Sequence, residues 1–154
     1  MTTGKNHFSR NVYPKDYKRL ESQLRPLKRS EGWRRMGGSG VSGLAAKHCV
    51  PCKGGVPPLG GEELRKLSAQ LPDWKVIDGH HITKTYTFPD FKTALDFVNR
   101  VGAVAESEGH HPDIALAWGR VDVKTYTHKI DGLTESDFVL AAKVDQEFFN
   151  RPEA

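Results

Sequence analysis

The chain has 154 residues, of which 37% are hydrophobic, and it carries a formal net charge of +4. This length is typical of one domain, and the hydrophobic content is sufficient to form a core. The sequence shows no signal-peptide core and no apolar run of membrane-spanning length, so we expect a cytoplasmic protein without a membrane partner.

The positive charge is confined to the first part of the chain. Residues 1–57 contain 12 Lys and Arg against 3 Asp and Glu, whereas residues 58–154 contain 11 against 16. The first segment is rich in Lys, Arg, Ser and Gly and lacks apolar periodicity. This composition predicts a basic, largely disordered extension that precedes a domain over residues 58–154.

Three roles remain open for the extension at residues 1–57. A basic, acid-poor segment suits a tail for nucleic acid or an acidic partner, an organelle transit peptide, or an extension without function. The lack of an amphipathic stripe disfavours the transit peptide. A basic run is most often a solvated tail, so we do not expect nucleic-acid binding. Translation could also start at Met36.

The chain contains two cysteines, Cys49 and Cys52, in a C-x-x-C spacing at the end of the extension. A structural zinc site needs four ligands, and only His48 is an obvious third. The sequence context of a thioredoxin-like redox pair is also missing. We therefore expect reduced surface thiols and no metal site, with a zinc ion shared between subunits as the alternative.

The first helix of the domain is predicted over residues 62–71. Acidic residues occupy its first turn, and Pro72 ends it. Its apolar residues fall on one helical face. They are Leu64, Leu67 and Leu71.

Two strands are predicted next, over residues 74–77 and 82–88, around a turn at residues 78–79. His80 and His81 follow this Asp-Gly turn signal. We interpret them as turn residues and not as ligands.

A long helix is predicted over residues 90–108. Gly109 suits the left-handed position that often follows a helix, and Pro112 disfavours the α conformation at His111. His110 and His111 are therefore expected just beyond the helix end, where the helix dipole favours a protonated imidazole. The apolar residues of the helix are expected to form one stripe. They are Phe91, Ala94, Leu95, Val98, Val101, Gly102 and Ala105.

A hairpin is predicted from the strands 114–118 and 121–128, joined by a turn that contains Gly119. The second strand alternates clearly, which places Asp122, Lys124, Tyr126 and His128 on one face and Val121, Val123, Thr125 and Thr127 on the other. Packing beside the long helix could bring His128 close to the histidine pair.

A last helix is predicted from a sequence that resembles a capping box, Thr134 to Asp137, with an apolar seam at Ala141, Val144 and Phe148. The order of elements is then α-β-β-α-β-β-α, which predicts the α+β class without choosing a function.

The pattern Glu106-x-x-x-His110-His111-Pro112, the strand ending in Thr127-His128 and the following residues 132–137 resemble the pterin-4a-carbinolamine dehydratases. The resemblance covers roughly residues 59 to 149. It implies a four-stranded antiparallel sheet with helices packed on one face, assembled into homodimers or homotetramers. It also implies dehydration of 4a-hydroxytetrahydropterin to quinonoid dihydropterin, which recycles the pterin of aromatic amino-acid hydroxylases.

By this resemblance, His110, His111 and His128 are the expected catalytic histidines, and neither a metal nor an organic cofactor is expected. The reaction delivers a proton to the departing hydroxyl and removes one from a ring nitrogen. His110 or His128 is the expected general acid, while His111 and Glu106 hold the pterin. The further expected substrate contacts are Pro112, Thr127, Lys129 and Trp74.

Gly109 and Ile114 depart from the family pattern, which often has an acidic residue before the histidine pair and an aromatic residue after the proline. Relatives also serve as binding modules, one as a dimerisation cofactor of a homeodomain transcription factor and others as assembly chaperones for a carbon-fixing enzyme. A binding module of this kind is the alternative function. The presence of all three histidines favours catalysis.

Overall fold

The computed structural model describes residues 43–50 and 57–150. Within these ranges, no helix has both the length and the hydrophobicity that crossing a membrane requires. The predicted disorder of residues 1–42, their possible roles and a start at Met36 all concern residues outside the described ranges.

The described part of the domain follows the predicted order α-β-β-α-β-β-α. Neighbouring strands are antiparallel and lie in the spatial order β1-β2-β4-β3. The α+β class and the four-stranded antiparallel sheet are therefore confirmed. The elements are α1 (Gly61–Ser68), β1 (Lys75–Ile77), β2 (His81–Thr87), α2 (Phe91–Glu108), β3 (Asp113–Ala117), β4 (Arg120–Thr125), a 3₁₀ turn (His128–Ile130) and α3 (Glu135–Phe149).

One face of the sheet carries the core. Every second residue of β4 is buried, namely Val121, Val123 and Thr125, while the residues between them are partly exposed. Ile82 of β2 lies opposite Thr125 in the register and is also fully buried. The alternation predicted for this strand is therefore confirmed, because side chains of successive strand residues point to opposite faces.

Helix α2 begins and ends as its terminal residues predict. The carboxylate of Asp90 accepts hydrogen bonds from the N–H and the hydroxyl of Thr93, both at 2.7 Å. These bonds hold the pKa of Asp90 below its usual value. At the other end, Gly109 adopts the predicted left-handed conformation, with φ 61°. This turn directs the following His110 and His111 out of the helix.

The core-facing stripe of α2 differs in part from the predicted one. Phe91 and Leu95 are 41% and 39% exposed, whereas Phe97, which the predicted stripe omits, is fully buried. The Phe97 ring packs against Tyr86 and Phe88, with ring centroids 4.9 and 5.1 Å apart. The aromatic residues of β2 and of the loop after it thus determine which side of the helix faces the sheet.

Two local boundaries near the predicted site also differ from expectation. Strand β4 ends at Thr125 and not at His128, because Thr127 pairs with Gly132 in an isolated bridge and the chain between them forms the 3₁₀ turn. His81, expected in the turn, is the first residue of β2 and pairs with Ile77.

Trp74 lies in the core, 5% exposed, and its indole N–H donates to Asp145 over 3.1 Å. The same buried carboxylate accepts from the Tyr86 hydroxyl at 2.6 Å and from the Lys84 ammonium at 2.8 Å. A buried charge is costly unless it is fully hydrogen-bonded, so these three donors offset the desolvation cost of burying Asp145.

Residues 43–50, which the sequence analysis assigns to the extension, pack on the domain. Leu44, Ala45 and Cys49 are buried in its hydrophobic core. The backbone N–H of Val50 donates to the Ser136 hydroxyl over 3.1 Å, which fastens the segment to the first turn of α3. The expectation of a surface thiol is therefore wrong for Cys49, whereas Cys52 lies outside the described residues.

Candidate active site

A cavity of about 240 Å³ opens where three parts of the chain meet: segment 43–50, the end of α2 and the 3₁₀ turn after β4. His110 and His111 at the end of α2 and His128 in the 3₁₀ turn, at least 17 residues later in the sequence, all line this cavity. The complete lining is Cys49, Val50, Glu108, Gly109, His110, His111, Thr127, His128 and Lys129.

His110 is held by a carboxylate beneath the cavity. Its Nε2 lies 2.7 Å from Oδ1 of Asp137, and the two side chains are 12% and 0% exposed. A carboxylate only accepts hydrogen bonds, so the imidazole N–H that faces it is the donor. The pair therefore places a proton on Nε2 and leaves Nδ1 as the ring nitrogen available to a ligand.

Asp137 is satisfied by donors from several elements. Besides His110, Oδ1 accepts from the Thr125 hydroxyl at 2.8 Å. Oδ2 accepts from the Thr127 hydroxyl and from the backbone N–H of Thr134, both at 2.9 Å. The last of these bonds belongs to the predicted capping box of α3. One carboxylate thus joins the end of β4, the start of α3 and the histidine pair, which fixes the His110 ring.

His111 is positioned much more loosely. Its Nε2 lies 2.9 Å from Oε1 of Glu106, but the two side chains are 59% and 79% exposed. Exposed ion pairs of this kind contribute little to stability, so the pair does not fix the His111 ring. Glu106 itself, like Pro112, is not among the residues that line the cavity.

Glu108, two residues after Glu106 and therefore on a different face of α2, is the carboxylate that lines the cavity. It is 6% exposed and accepts from the Cys49 N–H at 2.7 Å, the Lys143 ammonium at 3.0 Å and the His48 ring at 3.3 Å. Burial by itself would raise the pKa of Glu108, but the Cys49 N–H and the Lys143 ammonium outweigh it and hold that pKa below its usual value. Glu108 therefore anchors segment 43–50 as a wall of the cavity.

His128 is the first residue of the 3₁₀ turn, and its ring packs against Tyr126 with centroids 4.2 Å apart. Thr127, between them, has its hydroxyl on Asp137 and its backbone N–H on the carbonyl of Gly132. The turn also places Lys129 at the cavity, as expected for a ligand contact.

The structure does not bring Trp74 to the cavity, because its indole is enclosed in the core beside Asp145. Conversely, Asp137, Glu108 and the segment that contains Cys49 were missed as site residues by the sequence analysis. The signals for Asp137 were the capping-box pattern and the family resemblance over residues 132–137, and neither indicates which histidine the carboxylate meets.

The cavity is lined by three imidazoles that one ligand could contact, and that of His110 is hydrogen-bonded to the buried carboxylate of Asp137. This arrangement is suited to acid-base chemistry on a small molecule. Among residues 43–50 and 57–150, no group of three or more His, Cys, Asp or Glu side chains is arranged to hold a metal ion.

A family model described as pterin 4 alpha carbinolamine dehydratase matches residues 57–147, which is more than half of the chain. The chain belongs to the pterin-4a-carbinolamine dehydratase family. The match includes the histidine pair, His128 and Asp137, and it ends within α3. The four-stranded antiparallel sheet expected from the resemblance is therefore found in a member of that family.

Curated relatives of the dehydratase family are similar over most of their length. The chain is 63% identical over 106 residues to a protein of Rubrobacter xylanophilus, covering 69% of this chain and 99% of the relative. It is 51% identical over 108 residues to one of Alkaliphilus metalliredigens, covering 70% and 97%. Both carry the name "Putative pterin-4-alpha-carbinolamine dehydratase".

A solved structure of the same family is also similar to this chain. It is a transcriptional coactivator/pterin dehydratase from Brucella melitensis, which is 35% identical. The superposition has a TM-score of 0.56 and covers 58% of this chain and 97% of the other. The similarity thus extends over nearly the whole of that protein.

Proposed function

We propose that this protein dehydrates 4a-hydroxytetrahydropterin to quinonoid dihydropterin and water, and so serves pterin recycling. The observation that carries the proposal is the meeting of His110, His111 and His128 in one cavity, with His110 held by the buried Asp137. Membership of the pterin-4a-carbinolamine dehydratase family supports the substrate class.

The reaction needs two proton transfers on a flat ligand. The C4a–O bond breaks as the hydroxyl takes up a proton and leaves as water, while a neighbouring ring nitrogen loses its proton and a C=N bond forms. An acid and a base must therefore reach different positions of the pterin. Histidine suits both roles near neutral pH.

In this proposal His110 and His128 are the acid and the base, and the face of the ring that carries the hydroxyl decides which is which. His110 presents Nδ1 to the ligand, while Asp137 on Nε2 stabilises the imidazolium when it forms, as the carboxylate of a catalytic triad does. His128 reaches the same cavity from the 3₁₀ turn, on a different segment of the chain.

The remaining polar side chains hold the pterin. The loosely positioned His111 adjusts to the ligand while paired with Glu106, and the ammonium of Lys129 supplies a hydrogen-bond donor from the 3₁₀ turn. The Thr127 hydroxyl donates to Asp137 and so orients the carboxylate, while Thr127 also lines the cavity and stays a proposed substrate contact. Trp74, enclosed in the core, has no part in the proposed site.

The direct test is the rate at which purified protein accelerates dehydration of freshly generated 4a-hydroxytetrahydropterin at neutral pH. We expect acceleration by the wild type and a fall of about 10²-fold to 10⁴-fold in His110→Ala and His128→Ala, the range typical of a lost general acid or base. Lys66→Ala, on the exposed surface of α1, is the matched control and should keep the wild-type rate.

If folded wild-type protein does not accelerate the reaction, the proposal is wrong and the family's binding-module role becomes the better explanation. Small and equal losses in His110→Ala and His128→Ala would contradict the division of roles between the two histidines.

A further inference from the structure

Three aromatic rings make successive tilted contacts from the β1–β2 turn to the cavity. The ring centroids of His80 and Tyr126 are 4.8 Å apart, and those of Tyr126 and His128 are 4.2 Å apart, with an interplanar angle of 39° in each pair. These separations lie within or slightly below the range of favourable offset stacking. We call His80, Tyr126 and His128 the ring stack.

The far end of the ring stack makes hydrogen bonds at the protein surface, where the His80 and Asp131 side chains are 36% and 86% exposed. Nε2 of His80 lies 2.9 Å from Oδ1 of Asp131, and its Nδ1 lies 3.1 Å from Nδ1 of His81. Asp131 follows the 3₁₀ turn in a left-handed conformation, with φ 50°, and its N–H donates to the carbonyl of His128 over 3.3 Å. His80 is thus tied to the same turn that carries His128.

The middle of the ring stack is also supported. The ammonium of Lys124, two residues earlier on the same face of the chain, lies 5.5 Å from the centre of the Tyr126 ring, within cation–π range. That ammonium is paired with Asp113 of the neighbouring strand β3 at 2.8 Å. The Lys124 ammonium, itself held by Asp113, therefore helps to keep the Tyr126 ring in place beside His128.

His128 contrasts with His110 in how its ring is held. His110 is fixed by the buried carboxylate of Asp137. For His128, the described residues provide no side-chain hydrogen bond, and the contact that orients its ring is the one with Tyr126. Because neither ring nitrogen of His128 is held by a side-chain hydrogen bond among the described residues, both can serve a ligand.

We propose that Tyr126 and His80 are positioning residues that act through His128, by holding its ring at the cavity with both nitrogens free. This inference rests on the proposed function, since it assigns these residues a role in the same site. Asp131 adds a solvent-exposed contact between His80 and the 3₁₀ turn. Neither Tyr126 nor His80 lines the cavity, so their effect on turnover has to pass through His128.

The test is a double-mutant cycle on the full-length protein. Tyr126→Leu removes the aromatic ring, and Tyr126→Phe keeps it while removing the hydroxyl. We expect Tyr126→Leu to lower kcat by about 10-fold to 100-fold with a smaller change in KM, because a small misplacement of a catalytic group has costs of this order. Tyr126→Phe should restore most of kcat, and His80→Ala should cause a smaller loss than Tyr126→Leu.

The decisive comparison is made in a His128→Ala background. There Tyr126→Leu should cause no further loss, because the group through which it acts is absent. An equal loss in both backgrounds, or a loss matched by a lower melting temperature in Tyr126→Leu and Tyr126→Phe alike, would show a purely structural role and overturn the proposal. An unchanged kcat in Tyr126→Leu would do the same.

A second readout does not depend on turnover. In proton NMR, the ring current of Tyr126 should shift the carbon-bound imidazole protons of His128 upfield, and the shift should persist in Tyr126→Phe and disappear in Tyr126→Leu. Its presence in a protein that shows no dehydratase activity would mean that the proposed function is wrong while the ring stack exists. Its absence from the wild type would refute the ring stack itself.

Discussion

Asp137→Asn separates the structural role of the buried carboxylate from its role at the cavity. Asp137 accepts from His110, Thr125, Thr127 and the Thr134 N–H at 2.7 to 2.9 Å. Asparagine has nearly the same shape but only one acceptor oxygen. If that oxygen keeps the bonds of Oδ2, the new amide NH₂ group faces His110 Nε2, which must then accept. The imidazole proton moves to Nδ1, the nitrogen available to the ligand.

The cost of this change follows from the bonds that it weakens. A hydrogen bond to a charged group contributes about 1.5–3 kcal/mol and a neutral one about 0.5–1.5, so each retained bond loses roughly 1 kcal/mol. With four donors on the carboxylate, we expect Asp137→Asn to lower the free energy of unfolding by about 2–4 kcal/mol. We expect kcat to fall by about 10²-fold to 10⁴-fold because His110 holds the wrong tautomer.

The assay pairs urea unfolding, followed by circular dichroism, with the dehydration rate of the folded protein. Asp145→Asn is the matched control, since Asp145 is also buried and accepts from Trp74, Lys84 and Tyr86, none of which lines the cavity. It should lose comparable stability and keep the kcat of its folded fraction. A folded Asp137→Asn variant with wild-type kcat would refute the reasoning about the His110 tautomer.

Three further predictions concern groups around the site. The depressed pKa of Glu108 means that its charge stabilises the fold above the unfolded value near 4.5 and that this stability is lost as the pH falls through the folded pKa. Glu108→Gln should therefore be about 1–3 kcal/mol less stable than the wild type at pH 7 in urea unfolding, with the gap closing below pH 4.5. Burial and the charge of Glu108 raise the pKa of Cys49 to about 12, so in a Cys52→Ser variant Cys49 should resist thiol reagents at pH 8 until the protein unfolds. Asp90→Ala removes the cap of α2 and should lower the melting temperature at pH 7, with the difference shrinking in acid because the pKa of Asp90 is depressed in the fold.

The parts of the fold that the sequence predicts are those specified by neighbouring residues. The Gly109 turn, the cap-like start of α3 and the alternation of β4 each depend on contacts within a few positions, and each is found in the structure. The stripe of α2 was only partly right because its orientation depends on Tyr86 and Phe88, which lie on another element. The hydrophobic pattern of one helix does not show which side of it will face the aromatic residues of another element.

The same limit applies to the site. The histidines were recognisable because they are rare, clustered and matched by a family pattern, and the cavity does bring them together. The carboxylates that support the site were not recognisable, since the His110–Asp137 bond spans 27 residues and the Cys49–Glu108 bond spans 59. The family resemblance points to Glu106 and gives no sign of Glu108, which lines the cavity where segment 43–50 packs against it.

The two proposed proton carriers are therefore positioned by physically different contacts, and this difference matters for the chemistry. A carboxylate bond occupies one nitrogen of His110 and stabilises its charged form, whereas His128 is held by a tilted ring contact with Tyr126 and by no side-chain hydrogen bond from the described residues. In the proposed mechanism the face of the pterin that carries the hydroxyl decides which ring is the acid, and the surroundings decide how firmly each ring is held. Exchanging the supports, and not only deleting the histidines, should therefore change which proton transfer limits the rate.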